Sequence, residues 1–370
     1  MKVGTVTEIK QHEYRVGLTP DAALAFINHG HTVFVQKGAG DGSSYFDSQY
    51  LANGCVILDS AKEVFETCDM IIKVKEPLEE EYDLIKENQI IYTYLHLAPN
   101  KELTEVLLKS KCIGIAYETI TDSLGGLPCL KPMSQIAGRL SIQEGAKYLE
   151  KPFGGRGLLL AGVPGVPPAE VIVLGAGTVG ANAVKIAVGM GANVTVLDIN
   201  LERLEELDNL YGNQINTLYS TPKNIEDSLI KADLVIGAVL IPGAIAPKLI
   251  KDAYLKKMKP GAVIVDVAID QGGCGESSHV TYHDNPIYIQ DGVVHYCVGN
   301  MPGAVSNTST NALGNATLPF GLKIADLGAE VALKSDDNLM AGLNVYQGKI
   351  TCKNVAEAHS LDYSDPNKLF

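Results

Sequence analysis

Val171-Ile-Val-Leu-Gly-Ala-Gly-Thr-Val-Gly180, followed eighteen residues later by Asp198, is the stretch whose reading decides the fold. The apolar run predicts a buried strand. Gly175, Gly177 and Gly180 then predict a tight turn, close approach of the main chain to a pyrophosphate, and close packing of helix on strand. Residues 181–190 read as a helix whose N-terminal amides face the phosphates. Val194-Thr-Val-Leu-Asp198 reads as the next strand, ending on a carboxylate placed to accept from both ribose hydroxyls. A glycine-rich turn alone is common in α/β proteins that bind no nucleotide. Strand, turn, helix, strand and terminal acid in this order favour a dinucleotide site.

The bulk properties narrow the class around that site. A chain of 370 residues predicts two domains, each able to bury its own core. A net charge of −13 argues against nucleic acid and against an anionic lipid surface as partners. The seven cysteines show no Cys-x-x-Cys spacing, and Cys112 and Cys297 lie in apolar runs. They read as small buried hydrophobes in a reducing compartment. The first residues lack the apolar core of a signal peptide. Residues 171–197 are apolar enough to imitate a membrane span, but five glycines, two asparagines and Lys185 favour strand–turn–helix–strand. The expectation is a cytoplasmic protein with no membrane partner.

Before the motif, short apolar runs alternate with helical stretches. Lys2-Val-Gly-Thr-Val-Thr7, Thr32-Val-Phe-Val35, Met70-Ile-Ile-Lys-Val74, Ile90-Ile-Tyr-Thr-Tyr-Leu95 and Ile113-Gly-Ile-Ala-Tyr117 read as strands, with helices over 20–29 and 100–110. A helix over 133–151, with Ser134 as a possible N-cap, leads through a glycine- and proline-rich stretch into the motif. After it, runs at 216–219, 234–239, 263–268 and 293–298 bring that sheet to six strands. Residues 308–333 read as helical and Lys349-Ile-Thr-Cys352 as a late strand, so the tail is expected to cross back and complete the first domain. The fold class is therefore α/β, with two Rossmann-like domains of mostly parallel sheet. A nucleotide domain (133–303) is inserted in a substrate domain (1–132 and 304–370).

Parallel sheets bind ligands beyond the carboxyl ends of their strands. Arg15 follows the first strand, Lys75 the third and His96 the fourth. Arg15 offers a planar fork for a carboxylate, or is a solvated arginine at a helix start. Lys75 shares a strand face with Lys73 unless the strand ends first. His96 is either a satisfied histidine in an apolar edge or a proton carrier near neutral pH. Asp270 ends a strand expected near the nicotinamide, or caps a turn. Asp266 reads as structural. His279 and His283 have metal-pair spacing but lie in a polar loop, and Cys274 has no histidine beside it.

Taken together, these residues resemble the alanine dehydrogenase/pyridine nucleotide transhydrogenase family over nearly the whole chain. The resemblance rests on Glu13-Tyr-Arg15-Val-Gly-Leu-Thr-Pro20, Lys73-Val-Lys75-Glu-Pro77, Tyr94-Leu-His96 and Pro132-Met-Ser134-x-Ile-Ala-Gly-Arg-Leu. It also rests on the run from Gly162 to Gly180 and on Val265-Asp-Val-Ala-Ile-Asp270-Gln-Gly-Gly273. It implies reversible NAD-dependent oxidative deamination of L-alanine to pyruvate and ammonium, by a homo-oligomer that is commonly a hexamer. Arg15 and Lys75 are implied to hold the substrate carboxylate, with His96 and Asp270 as the acid/base pair. The implied NAD site takes in Ser134, Gly175, Gly177, Thr178, Val179, Gly180, Asp198, Arg203, Ser220, Val239 and Leu240. Val267, Ala268, Ile269, Asp270, Val298, Gly299, Asn300 and Met301 complete it.

The chain departs from some relatives where it has His279 in place of an arginine. It departs again where Lys323 and Leu327 replace a carboxylate–histidine magnesium pair, so no metal is expected. An NAD(H)-binding transhydrogenase subunit, a lysine- or saccharopine-type dehydrogenase and a catalytically idle NAD sensor share the glycine motif. The first and last leave Arg15, Lys75 and His96 unexplained.

Overall fold

The computed structural model describes residues 1–239 and 246–370; Leu240, expected at the NAD site, lies outside the described residues. Two compact units emerge, Met1–Met133 with Gly303–Phe370, and Ser134–Pro302.

The first unit begins with β1 (Lys2–Thr5), β2 (Thr32–Gln36), β3 (Val56–Leu58), β4 (Met70–Ile72), β5 (Ile90–Thr93) and β6 (Ile113–Ala116). The second carries β7 (Glu170–Leu174), β8 (Asn193–Asp198), β9 (Ile215–Tyr219), β10 (Leu234–Gly237), β11 (Val263–Asp266), β12 (Ile287–Gln290) and β13 (Val293–Tyr296). The returning tail adds β14 (Leu343–Tyr346) and β15 (Lys349–Ile350) to the first unit. The first sheet runs β15-β14-β6-β5-β4-β1-β2-β3, and the second β12-β13-β11-β10-β7-β8-β9.

Both sheets contain six parallel strands in the doubly wound order, third-second-first-fourth-fifth-sixth. In the first sheet the antiparallel pair β14–β15 extends the edge at β6, with a bulge between Leu343 and Val345. In the second, antiparallel β12 covers β13 as a seventh strand. Strands β4, β5, β6, β10 and β11 are buried along their whole length, so both faces are covered. That is why they read as continuous apolar runs. Ile71, Ile91, Leu95, Leu103 and Val345 share one core, and Ile172, Val235, Leu229 and Ile264 another.

The helices follow their local signals. Thr19 caps Pro20–Asn28 through Ala22 N, with proline at the first position, and Asn100 caps Lys101–Ser110 through Leu103 N. One expectation fails here. The helix read over 133–151 spans Lys131–Tyr148, so Ser134 is its fourth residue rather than its N-cap. Pro132 is tolerated because amides of the first turn need no helical partner. The motif helix starts at Thr178, three residues before the reading, with Gly177 as its cap. Strands β3, β12 and β14, of three or four residues each, were not anticipated.

Candidate active site

In each sheet the strand order reverses beside its first strand, and candidate chemistry gathers beyond the strand ends there. In the first unit they are densely charged. Arg15 is 2% exposed, and its guanidinium donates from Nε to Glu13 Oε1 at 2.6 Å and from Nη2 to Glu13 Oε2 at 2.5 Å. Nη1 also reaches Met133 Sδ at 3.1 Å. Burial alone would push the guanidinium's pKa down, and the Glu13 carboxylate more than reverses that.

Strand β4 stops at Ile72, so neither lysine that follows lies on it. Lys73 is fully buried, donating to Glu81 Oε1 at 2.7 Å and pairing with Glu8 Oε2 at 3.3 Å. Glu8 Oε1 accepts the amides of Val74 at 2.6 Å and Lys75 at 3.3 Å, which fixes the backbone of the loop. Burial raises the pKa of Glu8, with Lys73 opposing. Lys75 is partly buried, and burial followed by the nearby charge of Arg15 lowers its pKa. It is the cation of this loop that approaches Arg15.

His96 follows β5 with its side chain 41% exposed. Its backbone is left-handed, φ +46°. Glu118, beyond β6, accepts the His96 amide at 2.6 Å and the Leu95 amide at 3.1 Å. Ring atom Nδ1 lies 3.1 Å from Glu76 Oε2, and Lys10 holds the other oxygen of Glu76. Burial would raise the Glu76 pKa, but His96 and Lys10 together bring it down to about 2. The rim thus gathers Arg15, Lys75 and His96 as anticipated. It adds Glu13, Glu76 and Glu118, which the sequence reading passed over. No periodicity marks them, though each lies within a quoted motif or just past a strand end.

The second unit presents main chain instead. Gly175 has φ +103°, and a Cβ there would lie 2.6 Å from Ala238 O; at Gly180 it would lie 1.7 Å from Gly175 O. Neither position tolerates a side chain. At Gly177 a Cβ would meet nothing within 4 Å, so this backbone borders open space. That space is a cavity of about 470 Å³, lined by Ser134, Gly175, Gly177, Thr178, Val179, Asp198, Arg203, Ser220 and Val239. Leu197, Ile199, Asn200, Ala238, Pro247 and Leu249, not singled out from the sequence, complete the lining.

Asp198 accepts the amides of Ala176 at 2.5 Å and Asn200 at 2.8 Å, and a carboxylate has acceptor capacity beyond two such bonds. Arg203 donates to Ala176 O from Nε and Nη2, each at 3.2 Å. An open glycine edge, a helix N-terminus and a carboxylate at the end of the second strand fit a dinucleotide with free ribose hydroxyls.

Gly180 packs beneath this cavity rather than lining it, and eight expected contacts stand outside it at the ends of β11 and β13. Val267, Ala268, Ile269 and Asp270 form a 3₁₀ turn after β11, capped by Asp266. Asp266 is fully buried and accepts the amides of Ala268, Cys274 and Gly275. Val298, Gly299, Asn300 and Met301 follow β13, where Asn300 N donates to Asp270 Oδ2 at 3.4 Å. His279 stacks on Tyr288 with centroids 3.8 Å apart. Cys274 is fully buried, and burial holds its thiol well above the usual range. Lys323 donates to Asp336 at 2.9 Å, so an ammonium occupies that carboxylate. Among the described residues, no helix is long and apolar enough to cross a membrane.

The model of the alanine dehydrogenase/PNT N-terminal domain matches residues 4–137, and that of the C-terminal domain 141–353. An alanine dehydrogenase of Methanococcus maripaludis is 55% identical, covering 100% of this chain and 99% of its own. One of Halomonas elongata is 52% identical over the full length of both. A solved structure titled L-alanine dehydrogenase superposes with a TM-score of 0.95 at 48% identity, over 97% of this chain and 99% of that one. With both family models matched and relatives this similar end to end, the chain belongs to the alanine dehydrogenase/PNT family.

Proposed function

We propose that the protein is an NAD-dependent alanine dehydrogenase, interconverting L-alanine with pyruvate and ammonium. The observation that carries this reading is the rim of the first sheet, where Arg15 and Lys75 approach one another beside a half-exposed histidine. A cation pair of this kind suits a small carboxylate. The neighbouring imidazole suits proton transfer at the carbon that bears nitrogen.

Arg15, held rigidly by Glu13, and Lys75 bind the substrate carboxylate and orient Cα–H for transfer; this is the positional part of catalysis. NAD, when bound, supplies the hydride acceptor. Once the substrate amine has lost a proton, loss of hydride leaves an iminium on the substrate. His96 takes a proton from the water that adds to it, returns that proton to the departing amine, and accepts the hydroxyl proton as the carbonyl forms. Asp270 is assigned to the same proton-handling step, favouring the positively charged intermediate. In the second unit, Asp198 accepts from the ribose hydroxyls and disfavours a 2′-phosphate, which makes NAD rather than NADP the cofactor. Ser134, Thr178, Val179, Arg203, Ser220 and Val239 are assigned to the adenosine and phosphate part. Residues 267–270 and 298–301 are assigned to the nicotinamide part. The first unit is the substrate domain and the second the nucleotide domain of a cytoplasmic homo-oligomer, a hexamer by family.

The direct test is absorbance from NADH on mixing protein, NAD and L-alanine at alkaline pH, repeated across other amino acids and, in reverse, 2-oxo acids with ammonium. Turnover with another amino acid and none with alanine would sink the substrate assignment. No turnover with any would sink the enzyme.

A further inference from the structure

The backbone of His96 adopts a conformation that its ring chemistry alone does not demand. A left-handed φ on a non-glycine residue costs of order 1 kcal/mol or more and persists only where neighbours over-determine it. Here the over-determination comes from two carboxylates. Glu118 grips the chain from behind through the amides of Leu95 and His96, and Glu76 meets the ring at Nδ1. Glu76 is 8% exposed, and its residence before Pro77 keeps its backbone out of the helical region.

The chemistry of that contact is one-sided. An ionised carboxylate only accepts, and Glu76 is ionised throughout the range in which a dehydrogenase works, because its pKa lies near 2. The hydrogen therefore resides on Nδ1. A neutral imidazole carries a single N–H, so Nε2 is left with its lone pair. The other carboxylates of this rim, Glu8, Glu13, Glu81 and Glu118, are spent on cations or main-chain amides. Glu76 faces a titratable ring.

We propose that Glu76 is the positioning residue of His96: it selects the Nδ1–H tautomer and presents Nε2 as the atom that exchanges protons with substrate and water. Lys10, on the far oxygen, keeps the carboxylate aimed at the ring. The proposal rests on His96 being the proton carrier assigned above. In it, Glu76 touches neither substrate nor cofactor.

The test compares Glu76→Ala, Glu76→Gln and His96→Ala in the reductive direction, alongside NADH affinity by fluorescence. Glu76→Ala is expected to lower kcat about 10- to 100-fold, as loss of an orienting partner does. The KM for pyruvate and the affinity for NADH stay as in the wild type. Added formate, a small replacement carboxylate, restores part of the lost rate in Glu76→Ala and none in His96→Ala. Glu76→Gln, which keeps an acceptor but no charge, falls between wild type and Glu76→Ala.

Unchanged kcat in Glu76→Ala overturns the proposal. So does a joint loss of NADH affinity, thermal midpoint and rate that formate does not restore, since that is a structural role. If Glu76→Ala does not fold, ¹⁵N spectra of histidine-labelled wild-type protein, assigned with His96→Gln, decide. A neutral His96 ring protonated on Nε2 overturns the proposal, and one protonated on Nδ1 supports it. That spectrum remains decisive if no alanine turnover is found, so the proposal and the functional reading fail separately.

Discussion

The rims of the two sheets grow from the same order of six parallel strands and carry different chemistry. Beyond β1, β4, β5 and β6 stand side chains: Arg15 on Glu13, Lys73 between Glu8 and Glu81, and His96 between Glu76 and Glu118. Beyond β7, β8 and β10 stands mostly main chain, with Gly177 against open space and Asp198 as the one carboxylate among the described residues that line the cavity. On the proposed function, the difference follows from ligand size. A small amino acid offers few atoms, so each must meet a charged side chain that is already held in place. A dinucleotide offers a long phosphate-containing surface, which backbone amides and an open cavity can meet cheaply. Equal topology therefore does not imply equal energetics: the first rim is preorganised by buried ion pairs, and the second by backbone shape.

Four experiments would break or sharpen that contrast. The largest effect is expected at His96→Ala, which should lower turnover by about 10²- to 10⁴-fold while NADH binding, judged by fluorescence, is retained. Retained turnover would remove His96 from the mechanism. Next, Lys73→Met strands Glu8 and Glu81 in a fully buried place and should cost about 3–5 kcal/mol of stability in denaturant unfolding. An unaltered midpoint would mean that the first rim is not built on its ion pairs.

The third concerns acid. The folded-state pKa of Glu76, about 2, lies below its ordinary value of 4.5. Its contribution, on the order of 3 kcal/mol, is thus full above about pH 4.5 and lost as pH falls toward 2. The stability gap between wild type and Glu76→Gln should therefore narrow on acidification below pH 4.5; a gap independent of pH would contradict the pairing with His96 and Lys10. The smallest effect on the fold is expected at Gly177→Val. A side chain there meets open space and should leave the thermal midpoint in place while weakening NADH binding about tenfold, roughly 1.4 kcal/mol. Gly180→Val, whose Cβ would lie 1.7 Å from Gly175 O, should instead unfold the motif. Equal behaviour of the two variants would refute the division between a packing glycine and a ligand-facing one.

Much of this was legible because local signals and tertiary needs coincide. Strands buried on both faces must be continuous apolar runs, and β10 and β11 were found as such. Thr19-Pro20 marks a helix start because capping chemistry is local. Ser134 misled for the converse reason: a good cap residue sat inside a helix that Pro132 had already begun. Strand β3 is too short and too exposed to show a pattern, and β14 earns its place by pairing with β6, more than two hundred residues earlier in the chain.

The sequence by itself determined the glycine turn, its terminal carboxylate and the rim positions of Arg15, Lys75 and His96. Strand ends and turns are encoded by residues adjacent in the chain. Only the tertiary structure decided what those side chains meet. Glu118 reaches the His96 amide across 22 positions, and Lys10 reaches Glu76 across 66. It also separated Lys73, sealed in a buried ion triad, from Lys75 two residues on, which approaches Arg15. Hydrogen bonds and burial depend on distances in space that chain spacing does not specify, and the partners of His96 are therefore properties of the fold.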